Sequence, residues 1–411
     1  MRAWSRVHAA PWALLGLVAV SSALLLHGRD EAPQPDDARL AAVTVEIDDE
    51  AVRQWLLAEA VDLWSDTDAG PTLSVVLDAE ALAQLQARGA AFELLSADIE
   101  ADAAEERARL RGAEAARPGS WFSEYRDFAT VDAYLDTLAA RSELARVEHL
   151  GVSTQGRPIR ALRISDAPQG APAIVLNGGQ HAREWISVMV ATCIADRLVT
   201  DAQVDPAVQG LLARNTVWVA PVINPDGYVY SWESDRYWRK NRQGKHGVDL
   251  NRNWSVGFGG RGSSSNKRSQ IYRGPHAFSE PETRALRDLI VREPVVAHVD
   301  FHSFGQLILY PWGYTKKPAP DLDRLASLGR SMAAAIEATH GEVYRPMAAQ
   351  DLYTAGGTAL DWSYGERSAM GYTIELRPSG GNGFVLPPEQ IVPTCDEGYA
   401  AVRSMAAQME L

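Results

Sequence analysis

Near the N-terminus, apolar residues recur with two different periods. Residues 43–47, 72–77 and 92–95 alternate between apolar and polar positions, as half-buried strands do. Residues 49–63 and 80–88, which lie between these runs, have helical spacing instead. Strands and helices therefore alternate, and the pattern predicts a small α+β unit.

From residue 121 onward, continuous apolar runs typical of buried strands alternate with helical stretches. The predicted strands are residues 173–176, 216–222, 295–301 and 370–376, and the predicted helices include residues 186–198, 280–292 and 322–339. This alternation predicts an α/β domain in which helices cover both faces of a mostly parallel sheet. Functional sites in such sheets lie beyond the carboxyl ends of the strands. His181, Asn224 and His302 each follow a predicted strand, so we expect them at one edge of the sheet.

Charge separates these two regions. The chain of 411 residues has a formal net charge of −13, which argues against nucleic-acid binding because that function needs a basic face. Residues 41–118 hold 17 Asp/Glu against 6 Lys/Arg, whereas residues 119–411 are nearly balanced. We therefore expect a front domain at residues 41–105, a solvated connecting segment at residues 106–118 and a larger domain at residues 119–411.

The first 28 residues predict export. Arg2 and Arg6 precede an apolar stretch at residues 9–26, which is the pattern of a secretory signal peptide. The stretch also reaches the lower limit for spanning a bilayer, so an uncleaved membrane anchor stays open as an alternative. The Pro- and Asp-rich residues 29–40 predict a linker. We expect a secreted or periplasmic protein that contacts a membrane only if the apolar segment is retained.

The chain has only two cysteines, Cys193 and Cys395. They are too few and too far apart for a thiolate-rich zinc site, and two cysteines do not make a disulfide framework. Cys193 lies in an apolar helical pattern. We therefore expect it to be a buried free thiol.

Two imidazoles and a carboxylate stand at the predicted strand ends. His181, Glu184 and His302 can hold one zinc ion and leave a coordination position open, which is the arrangement of catalytic zinc sites. A His and a Glu three residues apart are by themselves a weak signal. His298 lies on the same strand face as His302, and we expect it to be structural.

A series of dense motifs then follows in a fixed order. They are GGQHAREWIS at residues 178–187, NPDGY at 224–228, WRKNR at 238–242, GVDLNRNW at 247–254, FHS at 301–303, LYPWG at 309–313 and IELR at 374–377. Over roughly residues 119–400 the chain resembles the zinc metallocarboxypeptidases of the pancreatic carboxypeptidase A/B family. The resemblance implies a doubly wound α/β/α catalytic domain with a mixed, mostly parallel sheet. It also implies one zinc ion per chain, held by His181, Glu184 and His302.

The same resemblance implies roles for other residues. Glu375 would be the general base, and Arg239 would stabilise the developing oxyanion. Asn251 and Arg252 would bind the terminal carboxylate of a peptide, a group that a planar guanidinium fits well, and Tyr353 would close over the substrate. The substrates would be peptides and proteins with a free C-terminus. Lesser subsite positions are matched by Arg183 and Arg236.

One position in this family largely sets the C-terminal preference, and Leu360 occupies it here. Because Leu360 is neutral and apolar, we expect its pocket to accept apolar or aromatic side chains. Ala348, Ala355 and Thr373 are expected to line the same pocket.

The resemblance also predicts details of the geometry around the site. Asp249 would accept the second ring N–H of His181 and so fix its tautomer. Cis peptide bonds are expected at Ser303–Phe304, Pro311–Trp312 and Arg377–Pro378.

Residues 41–105 are similar to the ferredoxin-like pro-domain of the same family, which caps the active-site cleft until the connecting helix is cut. Arg107, Arg109, Arg111 and Arg117 offer basic sites for an activating protease. The hypothesis is a proenzyme. A permanently attached folding or partner-binding domain is the alternative.

Two other functions compete with a peptide-cleaving enzyme. The same fold could act on bacterial cell-wall peptides or small acyl-amino acids, but Asn251, Arg252 and Tyr353 favour ordinary peptides. An inactive binding protein could also keep the scaffold. The intact zinc triad and Glu375 favour an enzyme.

Overall fold

The structure, a computed structural model, describes residues 39–65, 71–116 and 120–410. The predicted export segment, most of the predicted linker and Arg117 lie outside the described residues. The chain from Arg39 onward forms one compact unit. Within the described ranges, none of the helices combines the length and apolar character needed to cross a membrane.

The first part of this unit is a four-stranded sheet with two helices, which we call the front sheet. Its elements are β1 (Ala41–Glu46), α1 (Glu50–Glu59), β2 (Asp62–Leu63), β3 (Thr72–Leu77), α2 (Ala79–Ala87) and β4 (Phe92–Ser96), and the long helix α3 (Ile99–Ala116) follows. The strands are antiparallel in the order β2-β3-β1-β4, which confirms the ferredoxin-like α+β prediction. Asp49 and Asp78 cap α1 and α2 through bonds from backbone N–H groups. The sequence did not predict β2, which has only two residues.

The second part is an eight-stranded sheet, which we call the large sheet. Its elements are α4 (Phe128–Ala140), β5 (Ala145–Val152), β6 (Pro158–Ile164), β7 (Ala173–Asn177), α5 (Trp185–Asp201), α6 (Pro206–Arg214), β8 (Thr216–Ala220), α7 (Pro225–Glu233), α8 (Pro281–Arg292), β9 (Val295–Ser303), β10 (Leu307–Tyr310), α9 (Leu322–His340), β11 (Arg345–Ala348), α10 (Ala349–Leu352), α11 (Ala359–Arg367), β12 (Met370–Leu376) and α12 (Ile391–Gln408). The strand order is β11-β10-β12-β9-β7-β8-β6-β5. The four central strands are parallel, while β10 and the pair β6 and β5 run antiparallel to their inner neighbours. The mixed, mostly parallel sheet is therefore confirmed.

Both faces of the large sheet are buried, as the continuous apolar runs predicted. Along β7, Ile174 and Leu176 pack into the core that contains α5, whereas Val175 packs into the core on the opposite face with Trp218 and Trp254. Since successive strand residues point to opposite faces, a strand covered on both sides must be apolar throughout.

Cys193 and Cys395 form a disulfide, so the expectation of a buried free thiol was wrong. Cys193 lies on α5 and Cys395 on α12, and these two helices pack against each other on the same face of the sheet. The two residues are 202 positions apart, and no local pattern in the sequence reveals that the helices meet. The three predicted cis peptide bonds, in contrast, are all confirmed.

Candidate metal centre and substrate cleft

The ends of three neighbouring parallel strands bring the predicted site together. The chain leaves β7 at Asn177, and His181 and Glu184 follow immediately before α5 begins. His302 is the second-last residue of β9, which ends at Ser303. On the adjacent strand β12, Glu375 is paired directly with His302. The sheet register therefore sets the predicted general base beside a predicted metal ligand.

His181, Glu184 and His302 converge on one point. Their potential ligand atoms all lie within 4.8 Å of one another, and all three residues are buried. The Nδ1 atom of His181 is 2.7 Å from the Glu184 carboxylate, and the Nδ1 atom of His302 is 3.0 Å from it. The two Nδ1 atoms are themselves 3.0 Å apart.

The opposite ring nitrogens of both histidines face carboxylates. His181 Nε2 is 3.1 Å from Asp249, as predicted, and His302 Nε2 is 2.8 Å from Asp300. In the neutral form of each ring, a proton on Nε2 donates to the carboxylate behind it and leaves the Nδ1 lone pair facing the other ligand atoms.

The chemistry of His181, Glu184 and His302 fits a metal ion. With both rings in this neutral form, two Nδ1 lone pairs and the Glu184 carboxylate point at one another, and none of the three donates a hydrogen bond to the others. A divalent cation at their centre would satisfy all three acceptors. Two nitrogens and one oxygen form a donor set that zinc accepts.

The electrostatics of the site also favour a cation. Burial by itself would raise the pKa of Glu184, but His181 and His302 lower it to about 2. Burial by itself would lower the pKa of His302, but the carboxylates of Asp300 and Glu184 raise it well above its ordinary value. The site thus stabilises positive charge.

Arg239 is held beside the metal centre by Asp249. Its Nη2 and Nε atoms donate to one Asp249 oxygen over 3.0 and 3.3 Å. Burial opposes ionisation of Asp249, but Arg239, Arg252 and His181 hold its pKa well below the usual range. Asp249 thereby links the predicted oxyanion group to a predicted zinc ligand.

A cavity of about 310 Å³ opens at this point, and we call it the cleft. From the large sheet, it is lined by Glu184, Arg239, Tyr353 and Glu375. Its other wall comes from the front sheet and includes Thr44, Trp64, Ser74 and Leu95. The front sheet therefore covers the predicted catalytic residues.

A second, smaller cavity of about 20 Å³ lies behind the cleft and also reaches Glu375 and Tyr353. Asn251, Arg252 and Leu360 line it, as predicted. The remaining lining is mostly apolar and includes Leu309, Ala349, Ala355, Thr358 and Thr373. Ala349 takes the place that the sequence suggested for Ala348, because α10 begins there and turns the chain.

Hydrogen bonds fix the two residues predicted to bind the terminal carboxylate. The Asn251 side-chain oxygen accepts from the backbone N–H of Ala359 over 3.0 Å. Arg252 donates to the carbonyl oxygens of Gly262 and Asn251, each over 2.7 Å. Both side chains are therefore oriented before any ligand arrives.

Arg183 and Arg236 contact the front part of the chain instead of the cleft. Arg183 lies 3.4 Å from Asp62 and donates to the Trp64 carbonyl oxygen over 3.2 Å. Arg236 forms a buried ion pair with Glu106 of α3. The sequence placed both arginines near the substrate but gave no sign of these partners.

His298 is structural, as expected. Its Nε2 atom is 2.7 Å from the Asn177 side-chain oxygen, and its Nδ1 atom is 2.7 Å from the Ser363 hydroxyl. Within the described residues, it does not belong to the cluster that could hold a metal.

Sequence reasoning missed Asp300 and the two amides that bind it, Asn177 and Gln180. A usable signal was present, because residues two apart on a strand share a face. Asp300 precedes His302 by two positions on β9.

Comparisons with known proteins agree with this geometry. The family model for zinc carboxypeptidases matches residues 131–401. Carboxypeptidase B from Astacus astacus is 38% identical over 296 residues, which is 69% of this chain and 97% of the relative. Carboxypeptidase A1 from Rattus norvegicus is 32% identical over 358 residues, which is 83% of this chain and 85% of the relative.

A solved structure is similar over the front sheet as well. The crystal structure of carboxypeptidase A from Helicoverpa armigera has a TM-score of 0.79 and 29% identity, and the match covers 91% of this chain and 99% of that one. The chain belongs to the zinc carboxypeptidase family and is a zinc-dependent metallocarboxypeptidase.

Proposed function

We propose that this zinc carboxypeptidase releases apolar or aromatic residues from the C-termini of peptides, and that it is exported as a proenzyme. The pairing of Glu375 with His302 across β12 and β9, inside the cleft that Arg239 also lines, carries the proposal. His181, Glu184 and His302 are the proposed zinc ligands.

The proposed chemistry divides among four groups. When bound, zinc lowers the pKa of a bound water toward about 7. Glu375 accepts a proton from the attacking water and later passes it to the leaving amine. Arg239 faces the developing oxyanion, where one well-placed donor contributes about 3 kcal/mol. Tyr353 lines both cavities and can close over the substrate.

Recognition of the free C-terminus falls to Asn251 and Arg252. Their side chains line the small cavity next to Glu375, and their hydrogen bonds to the backbone fix their direction. A terminal carboxylate bound there sets the scissile bond near the general base. This restricts cleavage to the last residue of a chain.

The lining of the small cavity supports an apolar preference. Leu360, Leu309 and Ala355 are apolar, and the charged lining residues, Arg252 and Glu375, already have proposed roles. A Lys or Arg side chain would meet no carboxylate among these lining residues except that of Glu375, the proposed base, and burying a cation without a partner of its own is costly. The relatives named carboxypeptidase A and B do not decide this point, since both match the chain.

The contacts of the front sheet support a proenzyme. Asp62 places a carboxylate beside Arg183, which is a predicted substrate-binding cation, and Trp64 and Leu95 line the cleft. A peptide substrate that binds Arg183 would compete with Asp62 for the same guanidinium. The domain division at residues 41–105, 106–118 and 119–411 is part of this proposal. An activating protease would cut in the connecting segment, where Arg111 is exposed.

Export is supported by two independent features. The N-terminal sequence has the pattern of a signal peptide or anchor. The disulfide between Cys193 and Cys395 is a kind of bond that persists mainly in oxidising compartments.

The test is hydrolysis of N-blocked dipeptides that end in Phe, Leu, Lys, Arg or Glu. Trypsin-treated and untreated protein would be compared, each with and without a zinc chelator. We expect chelator-sensitive release, fastest for Phe and Leu, and much lower activity before trypsin treatment. Fastest release of Lys or Arg would refute the pocket assignment, and full activity of the untreated chain would refute the proenzyme.

A matched pair of variants isolates the pocket. We expect Leu360→Asp to raise the rate for Lys relative to Phe by about 100-fold, because the new carboxylate pairs with a cation and opposes an apolar ring. Leu360→Ile should keep the parent preference. An unchanged ratio in Leu360→Asp, with zinc still bound, would place the specificity pocket elsewhere.

A further inference from the structure

The two proposed histidine ligands are supported by carboxylates in different surroundings. Asp249, behind His181, is paired with the guanidinium of Arg239. Asp300, behind His302, accepts hydrogen bonds from the neutral amides of Asn177 and Gln180. Both carboxylates are fully buried.

The register of β9 and β7 and the loop that follows β7 create the surroundings of Asp300. Asp300 is paired with Asn177 across β9 and β7, and the Asn177 side-chain N–H group donates to it over 2.6 Å. Gln180, three residues further along the chain, donates to the other carboxylate oxygen. That same oxygen accepts the Nε2 proton of His302 over 2.8 Å.

The direction of every hydrogen bond in this network can be assigned. The Asn177 amide donates to Asp300, so its oxygen must accept from His298 Nε2, over 2.7 Å. Burial lowers the pKa of His298 to about 4, so the neutral ring has one proton, and its Nδ1 accepts from the Ser363 hydroxyl over 2.7 Å. Hydrogen bonds thus run in one direction from Ser363 through His298 and Asn177 to Asp300, which accepts from His302 on its other oxygen.

We propose that Asp300 is a positioning residue that strengthens zinc binding by holding the ligand His302. It holds the His302 ring in the tautomer that presents the Nδ1 lone pair, and it places a buried carboxylate directly behind that ring. Carboxylates behind histidine ligands make the imidazole a stronger donor and fix its orientation. This inference rests on the ligand set of the proposed function. Asp249 does not duplicate the role of Asp300, because Asp249 is also paired with Arg239.

The experiment measures zinc affinity of the full chain by competition with a chelating dye, together with the melting temperature of the metal-free protein. We expect Asp300→Asn to weaken zinc binding by about 10- to 100-fold, with little change in the metal-free melting temperature. Glu366→Gln, an equivalent loss of charge at an exposed position, should leave both quantities unchanged. Parent-like zinc affinity of Asp300→Asn would overturn the proposal.

A second variant decides the case if Asp300→Asn does not fold. Ser363→Ala removes only the hydroxyl at the far end of the chain, and we expect it to loosen zinc by a few-fold without changing the metal-free melting temperature. Unchanged zinc affinity of Ser363→Ala would then refute the proposal. Failure of the parent protein to bind zinc would instead refute the ligand set, which separates the two hypotheses.

Discussion

The two walls of the cleft are held in place in different ways. On the large sheet, Glu184 and Arg239 are fixed by buried hydrogen bonds to residues of the same sheet and its loops. On the front sheet, Trp64 and Leu95 face the cleft, and contacts between the two parts, such as the ion pairs of Asp62 with Arg183 and of Glu106 with Arg236, tie that wall to the other. The proposed proenzyme requires such a difference, because its front sheet would be removed from a catalytic site that is already formed.

The largest effect should come from the wall that carries the chemistry. Glu375→Gln keeps the shape of the side chain but removes the proposed base, and general acid–base catalysis contributes about 10²- to 10⁴-fold. We expect kcat of the processed enzyme to fall by about 10³-fold, with zinc content unchanged. Glu366→Gln is the control, since Glu366 is exposed. Retained activity in Glu375→Gln would assign the base to another residue.

A variant of the opposite wall should change activity in the opposite direction. Glu106 and Arg236 are both buried and form an ion pair. Removing one partner of a buried ion pair typically destabilises the contact by about 2–5 kcal/mol. Glu106→Gln should therefore weaken the cover and raise the activity of the unprocessed chain by at least about tenfold. Processed enzyme should be unaffected.

The neighbouring Glu105 supplies the matched control for this variant, because it lies on the same helix but is exposed. Glu105→Gln should behave as the parent does. If Glu106→Gln left the unprocessed chain as inactive as the parent, the ion pair would not hold the cover, and the apolar contacts of Trp64 with Tyr237 and Phe384 would have to do so.

The sequence predicted the two walls unequally. The residues that the resemblance assigns to the catalytic wall converge as expected, since His181, Glu184 and His302 follow strands whose parallel order the apolar runs already indicated. The front sheet was predicted from alternation and from a less specific resemblance to the family's pro-domain, yet its contacts were not. Asp62 and Arg183 are 121 positions apart, and Asp62 lies on a strand too short to produce a periodic signal.

The misses within the large sheet have a similar cause. The bond between Cys193 and Cys395 depends on two helices that meet only in the folded chain. For Asp300, the spacing of two residues places it on the same strand face as His302, but the sequence does not reveal the amide groups that bind it. The pattern of apolar and polar residues indicates which face of a strand a residue occupies. Its partner across the sheet depends on the register of the paired strands, which the pattern does not reveal.

The smallest predicted effect is a pH dependence of the cover, and it depends on Asp62. Burial raises the pKa of Asp62 to about 6 in the covered state. The charge of Arg183 opposes this shift, and the charge of Asp235 adds to it. Gln270 donates a hydrogen bond to Asp62, and Lys240 lies close enough to interact with its charge. In the uncovered state the ordinary value near 3.9 applies, so covering the cleft takes up a proton between these two values. The cover is therefore favoured as pH falls through 6 and is weakened as pH rises above it.

The measurement is the activity of the unprocessed chain divided by that of the processed enzyme at each pH, which cancels the pH dependence of catalysis itself. We expect this ratio to rise by several-fold, and by no more than about tenfold, between pH 5 and pH 7. Asp62→Asn cannot titrate and should give a flat ratio. If the ratio rises equally in Asp62→Asn, the effect would belong to Asp235, whose pKa burial also raises. A ratio that falls as pH rises would contradict the predicted direction of the pH dependence. Either result would show that the cover responds to pH through a group other than the carboxylate that occupies Arg183.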